Sequence, residues 1–432
     1  MKKLFTFCFI SCLVISSSAQ IRITEINYNS DSSINASNWF EIHNHGSSPV
    51  SLTGWTVKKP NSTIYTFPAS TSLAANAYLV ISDSISLFNN IHPGVTNVVG
   101  NLPFKLNNTS DTIIINDNNS TIIESVRYEN TSWRLKGADG WGRTLEVYNE
   151  MGDPNDSTNW YCGCMSGSPG GPWVPCNDPL VVTEINYASQ LTMDAGDWFE
   201  IHNRTNASID VSNYYFKDKN DSSINTYHFP NGVSVPANGY LIVYKDLLKF
   251  NARHPGITNK IGPFSTFGFG GTGDAIRLWN ANNKLVWSIA YNNTLPWDTM
   301  AWFHGYTLEL KDQTAPVYVG ANWMHCTLEG DPNLPIPTSC YNGINNFENN
   351  GVMFSVLQNP TSNQINIQFT GDINLLHQSF VRLTDMQGKI VMELQNPNNE
   401  KLDIDVSKFS AGLYLLQFSG NNFNQTEKII LQ

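Results

Sequence analysis

Thr24–Tyr28 (TEINY) recurs at Thr183–Tyr187, and Trp39–Asn44 (WFEIHN) recurs at Trp198–Asn203, both 159 residues later. His92–Asn97 (HPGVTN) returns as His254–Asn259 (HPGITN) at a spacing of 162, and Asn159-Trp160 as Asn322-Trp323 at 163. The spacing drifts by only four positions, so the chain holds two copies of one domain that differ by a few loop insertions. Solenoid repeats are far shorter than this. Whatever fold is proposed must therefore be built twice. A duplicated domain with no evident reaction chemistry points first to binding or display.

The first 19 residues read as a secretory signal peptide. Lys2 and Lys3 give a positive start, Leu4–Ile15 an apolar run too short to span a bilayer, and Ser17-Ser18-Ala19 a small-residue cleavage site before Gln20. Cys12 would suit a lipoprotein, but the preceding FIS lacks the usual small pair. No later stretch has 18 consecutive apolar residues, so no transmembrane segment is expected. Without Lys2 and Lys3, 23 basic residues face 36 acidic ones, a formal charge of −13. Such a chain repels nucleic acid and anionic lipid unless it carries a basic patch, and the longest cluster is Lys58-Lys59 in a turn. Nucleic-acid binding is therefore not expected. Aromatic residues make up 12% of the chain, enough for ordinary cores.

Five cysteines follow the leader: Cys162, Cys164, Cys176, Cys326 and Cys340. Cys162 to Cys176 and Cys326 to Cys340 both span 14 positions at the end of each copy, and an oxidising destination favours one disulfide per copy. Either Cys162 or Cys164 can serve as the partner of Cys176. The rival reading is a thiolate metal site, which lacks zinc-knuckle spacing and has only two cysteines in the second copy.

The repeats read as β throughout. IRITEINY, LVVTEINY and WFEIHN are strand-like, AYLVIS and GYLIVY are buried-strand runs, and DTIIIND and DAIRLWN end in Asn-rich turns. One short helix per copy is expected after Asp83 and Asp246 as N-caps, stopped by His-Pro-Gly. Many short strands with Gly, Asn and Pro turns favour a sandwich over βαβ units.

The ordered set ITEINY, NWFEIHN, VSLTGWTV, YTFP, AYLVIS and SDTIIIND resembles the lamin tail domain, and VTEINY, DWFEIHN, IDVSNYYF, YHFP, GYLIVY and GDAIRLWN repeats it. The resemblance covers residues 20–176 and 177–340. It implies two immunoglobulin-like β-sandwiches serving as non-catalytic interaction modules. The second copy departs at Asn213-Tyr214, where the first has Gly54-Trp55. Residues 341–352 form an Asn/Gly-rich linker. Residues 353–432 resemble the type A sorting domain of the type IX secretion system, through Asn359-Pro360-Thr361 with INI, LTDMQGKIV, IDVSKFSAGLYLLQF and the terminal KIILQ. Met386-Gln387-Gly388 reads as its hairpin turn. That resemblance implies a Bacteroidetes-type host, a small C-terminal β-sandwich, the type IX machinery as partner, and secretion or outer-surface display after passage through the periplasm.

Few residues suggest chemistry. Glu41-x-His43, repeated as Glu200-x-His202, places a carboxylate and an imidazole on one face of a strand, fit to ligate a metal or trade a proton. No third ligand is evident, and the plainer reading turns Phe40 and Ile42 to the core and Trp39, Glu41 and His43 outward. By parity Glu25 shares a face with Ile21 and Ile23, and Glu184 with Val182. Such a carboxylate needs partners, so loop amides or a bulge that turns it outward are expected rather than calcium, whose usual Asp-rich loop is absent. Gly268–Asp274 (GFGGTGD) is a turn followed by a strand, not a phosphate loop. Trp133, Trp141, Trp297 and Trp302 lie in loop-like stretches where a tryptophan stacks on a sugar, although most should be core. Asp83-Ser84-Ile85 and Asp298-Thr299-Met300 match a short O-glycosylation pattern.

The expectation is an all-β, non-enzymatic secreted or cell-surface protein with a cell-surface protein or glycan as ligand, and with no catalytic residue, cofactor or metal. The alternatives are an exported hydrolase using a carboxylate or Glu/His site, and a structural surface spacer. Acidic and histidine side chains from different strands converging in one cleft would favour the hydrolase.

Overall fold

The computed structural model describes residues 20–335, Cys340, and within the C-terminal part residues 352–356, 361, 363–371, 379–385, 388–395, 397, 399, 401–420 and 423–431. The signal peptide, Cys12, Asn359-Pro360 and most of the linker lie outside the described residues. The chain divides into two compact units, 1–336 and 337–432.

In the first repeat, alternation of apolar and polar positions builds two facing sheets. One has the strand order Trp160–Met165, Arg143–Val147, Ile21–Asn27, Trp39–Asn44, Tyr78–Ser82 and Val98–Gly100. The other runs Ile122–Glu129, Ser110–Asn116, Thr56–Lys58 and Tyr65–Thr66. The second repeat reproduces both sheets, the larger around Leu180–Asn186 and Trp198–Asn203 and the smaller around Gly273–Trp279 and Leu285–Asn292. Ile23, Phe40, Ile42, Val57, Ile113 and Ile115 fill the space between the sheets. The apolar core runs on without a break into the second repeat.

Each repeat has one short α-helix as expected, α1 at Ile85–Ile91 and α2 at Leu247–Arg253. Each lies in the crossover to a parallel edge strand, the pairings Val80↔Val98 and Ile242↔Lys260. Asp246 caps α2 as read from the sequence, but Ser84 rather than Asp83 caps α1. The Asp83 carboxylate instead accepts from the Asn38 amide at 3.0 Å. The helices also revise the reading of Trp39. It does not face solvent, because it packs with Phe88 of α1, Val80 and Ala36 in a small core on the outer face of the sheet. Trp198 and Phe250 do the same under α2. The exchange of Gly54 for Asn213 is conservative, since both residues adopt left-handed φ, at 75° and 60°, which asparagine tolerates.

Cys164 bonds to Cys176, and Cys162 is a buried free thiol. Cys162 and Cys164 would share a face on a regular strand. The register, however, runs from Leu145↔Cys162 to Arg143↔Met165, so an extra residue turns the chain between them. The disulfide also removes the three-thiolate metal reading. Cys326 and Cys340 are both disulfide-bonded.

The C-terminal unit has a three-stranded sheet, Val352–Val356, Gln364–Gly371 and Lys401–Asp405, and a four-stranded sheet, Ile390–Gln395, Ser379–Asp385, Gly412–Gly420 and Phe423–Leu431. Its own core contains Ile365, Phe369, Leu383, Leu416 and Ile429. Ser379–Asp385 and Ile390–Gln395 form the expected hairpin, and Gly388 takes φ 81° in the turn.

Candidate functional site

Three strands of the first large sheet place three glutamates in a row. Ile23 pairs with Ile42, but the next pair is Glu25↔Glu41, so Thr24 is an extra residue. This bulge reverses the parity, and Glu25 lands beside Glu41 on the face away from Ile23. On its other side Glu25 pairs with Glu146. The second repeat has the same bulge before the pairs Glu184↔Glu200 and Glu184↔Glu309. A row of like charges on neighbouring strands is destabilising if all are ionised.

The row is not solvated. Glu25, Glu41 and Glu146 are 1–3% exposed, and so are Glu184, Glu200 and Glu309. The loop after the last large-sheet strand covers each row and donates to it. Glu25 accepts from the Ser168 amide at 3.0 Å and the Thr144 hydroxyl at 2.5 Å. Glu41 accepts from the Gly170 amide at 2.5 Å and the Thr24 hydroxyl at 2.8 Å. In the second repeat the Asp331 amide and Thr307 hydroxyl serve Glu184, and the Asn333 amide and Thr183 hydroxyl serve Glu200. Gly167 and Gly330 allow the close approach, because a Cβ there would stand 2.1 Å from the Oε1 of Glu25 or Glu184. The loop-amide and bulge reading of Glu25 and Glu184 therefore holds, although the bulge buries them instead of exposing them.

Burial pushes these carboxyls up. Glu41 and Glu309 rise to about 8, and Glu146 and Glu200 to about 7. Glu25 and Glu184 lie well above the ordinary range, first from burial and then from their two glutamate neighbours. Glu41 was read from sequence as facing outward, and its burial under the loop corrects that. His43 is set apart from the row. Its Nδ1 meets Glu150 at 2.5 Å, and its ring stacks on Tyr78 at 4.1 Å. Sequence reasoning missed Glu146 and Glu309, which lie more than a hundred residues from Glu25 and Glu184. Their signal was present in the recurrence of Thr144-Leu145-Glu146 as Thr307-Leu308-Glu309, 163 positions on.

A second feature lies in the second repeat. An open cleft of about 500 Å³ is lined by Tyr187, Asp194, Asp197, Lys245, Lys249 and Phe303. Lys249 contacts Asp194 at 2.5 Å and Lys245 contacts Asp197 at 3.3 Å. Trp302 and Phe303 stand together at 5.8 Å between ring centres and are 39% and 54% exposed. Phe303 holds φ 58°, a costly conformation for an aromatic residue.

The family model described as Lamin Tail Domain matches residues 15–130 and 175–293, more than half of the chain. The chain belongs to the lamin tail domain family. The model described as Secretion system C-terminal sorting domain matches residues 356–432. The protein is thus a type IX substrate, exported to the cell surface or secreted. No curated protein matches the chain. Among solved structures, it is similar to a biofilm-associated protein BSP domain at 9% identity and TM-score 0.17, over 96% of this chain and 81% of the other. A DUF4876 family protein from Bacteroides thetaiotaomicron gives 10% identity and TM-score 0.23, over 69% and 95%. The Amycolatopsis orientalis exo-chitosanase CsxA gives 13% and 0.17, over 59% of this chain and 27% of the other. These overlaps are too loose to carry function.

Two of the four tryptophans singled out in the sequence, Trp141 and Trp297, are buried at 7% and 3% exposed, whereas Trp302 is exposed and stands against Gly271 of the cleft wall. The side chain of Trp133 lies outside the described residues. Gly268–Asp274 is a turn leading into a strand, as read, and Gly271 contributes to the cleft wall. Ser84 is engaged as the α1 cap, and Thr299 is exposed beside Asp298, which accepts from His325. Among the described residues, no helix is long and apolar enough to cross a membrane.

Proposed function

We propose that this protein is a non-catalytic surface binding module whose contact site is the cleft of the second lamin tail domain, with a glycan as ligand. One observation carries the reading, the exposed Trp302–Phe303 pair, of which Phe303 lines the cleft with Asp194, Asp197, Lys245 and Lys249 and Trp302 stands against Gly271 of its wall. Exposed aromatic faces stack on sugar rings, and paired charges at the rim hydrogen-bond to hydroxyls. The strained Phe303 backbone is the kind of feature that persists where position matters. The test is retention of the full chain on a polysaccharide panel and on cell surfaces, compared with Trp302→Ala. Retention that the substitution abolishes supports the reading; equal retention of both proteins, or of neither, overturns it.

A second reading, hydrolysis, is favoured by the convergence of Glu25, Glu41 and Glu146 in a small cleft of about 140 Å³ with Tyr78 and Trp173. Carboxyls held protonated near neutrality suit general acid chemistry. Against it, loop amides and hydroxyls already occupy Glu25 and Glu41. Turnover of any polysaccharide, phosphodiester or peptide substrate that Glu25→Gln abolishes would establish this second reading.

A further inference from the structure

The two glutamate rows are alike, but the loops that cover them differ at three positions. Ser166-Gly167-Ser168-Pro169-Gly170 in the first repeat corresponds to Glu329-Gly330-Asp331-Pro332-Asn333 in the second, so the Asp331 carboxylate stands where the first repeat has the Ser168 hydroxyl. Asp331 thereby joins Glu184 and Glu309, and one carboxylate oxygen from each lies within 4.8 Å of the others. The loop that carries Asp331 is pinned in place, since its amides at Asp331 and Asn333 donate to Glu184 and Glu200.

We propose that the second lamin tail domain binds one calcium ion between Glu184, Glu309 and Asp331. An independent observation points to a ligand. Glu309 is 1% exposed, and its Oε1 accepts from Thr327 and Thr307, whereas its Oε2 has no hydrogen-bond partner. A buried carboxylate oxygen left bare is costly, and the carboxyl faces the oxygens of Glu184 and Asp331, so a cation is the natural occupant. The donors are all oxygen, which selects a hard cation over zinc or copper. One calcium ion, with oxygen distances of about 2.3–2.6 Å and a flexible ligand sphere, can bridge carboxylate oxygens that lie within 4.8 Å of one another, whereas magnesium dehydrates reluctantly and demands near-ideal octahedral geometry. Asp331 is half-buried and opens one side to water, which supplies the remaining ligands that calcium requires. Glu200, bonded to the same loop, is a further carboxyl close by. The sequence suggested no metal because it lacks an Asp-rich loop. Here the ligands come from two neighbouring strands and a loop instead.

The inference is independent of the glycan reading, and its test measures the ion directly. The full exported chain is stripped with EDTA and titrated with calcium chloride by calorimetry, with thermal denaturation in parallel. The expected result is one calcium per chain and a higher melting temperature with calcium. Asp331→Ser, which installs the residue the first repeat carries, and the isosteric Glu309→Gln should each abolish the calcium heat while the far-ultraviolet spectrum stays unchanged. A stripped wild-type chain that takes up no calcium and melts identically with and without it overturns the proposal. Calcium binding that survives in both variants overturns it equally, because the ion would then sit elsewhere.

Discussion

Arg143 of the first repeat donates from Nε and Nη2 to the backbone carbonyl of Ser288 in the second, at 3.1 and 2.8 Å. Its Nη1 donates to Gly163 of its own repeat at 2.8 Å, and the guanidinium stacks on Trp287 and Tyr318. Ser288 returns a hydroxyl bond to the Trp141 carbonyl at 2.6 Å, and Arg277 stacks on the Trp141 ring. The repeats are thus joined by a fully buried arginine. Arg143→Ala leaves two buried carbonyls without these donors and opens a void, and should cost roughly 3 kcal/mol. Urea denaturation measures this. A loss below about 1 kcal/mol would mean that the interface relaxes around the gap.

The glutamate rows give a pH dependence whose sign can be worked out. Unfolded, these carboxyls titrate near 4.5; folded, Glu146 and Glu200 titrate at about 7, and Glu41 and Glu309 at about 8. Between those values the folded state holds more protons, so stability is lost as pH rises. Buried His92 and His254, lowered to about 4, act in the opposite sense, but only below their unfolded value of 6.5. From pH 6.5 to 8 the histidine contribution fades and the glutamates dominate this slope. In EDTA the melting temperature should fall across that range by roughly 5 °C or more. A flat or rising profile would show that the folded carboxyls are ionised. Calcium should lessen the fall, because the ion replaces protons in the second row.

Alkylation with iodoacetamide checks the cysteine assignment. Of residues 20–432 only Cys162 is a free thiol, wholly buried and with burial raising it to about 12. Mass spectrometry should find no label on the native chain and one after unfolding without reductant. Cys164→Ser should be the damaging substitution, at about 3 kcal/mol for a loop of this length. Cys162→Ala should cost less than about 1.5 kcal/mol.

Deleting residues 353–432 should leave folded protein in the periplasm, visible by cell fractionation. Normal levels of the truncated chain outside the cell would contradict a sorting role for this segment.

Much of the fold was readable because the chain states it twice. Alternation in WFEIHN correctly turned Phe40 and Ile42 inward, and the copy at Trp198–Asn203 behaves alike. Parity failed where a feature depended on something distant. Nothing local marks Thr24 as a bulge residue, so Glu25 was grouped with Ile23 although its carboxyl serves the Ser168 loop. Trp39 was read as outward because α1, which covers it, arrives some forty residues later. The cleft was half legible. Trp302, which stands against Gly271 of its wall, was singled out, but Asp194, Lys249 and Phe303 became neighbours only through folding.

The join between the repeats also limits how such a protein can grow. The first repeat's side of the contact, Trp141 and Arg143, becomes His304 and Tyr306 at the matching positions of the second repeat. The second repeat's side, Trp287 and Ser288, becomes Glu124 and Ser125 in the first. A head-to-tail contact between identical units would extend indefinitely into a filament. Ser125 keeps the serine, but divergence at the other three positions removes the arginine and the tryptophans from the exposed ends, so the first join cannot be repeated by the same contact.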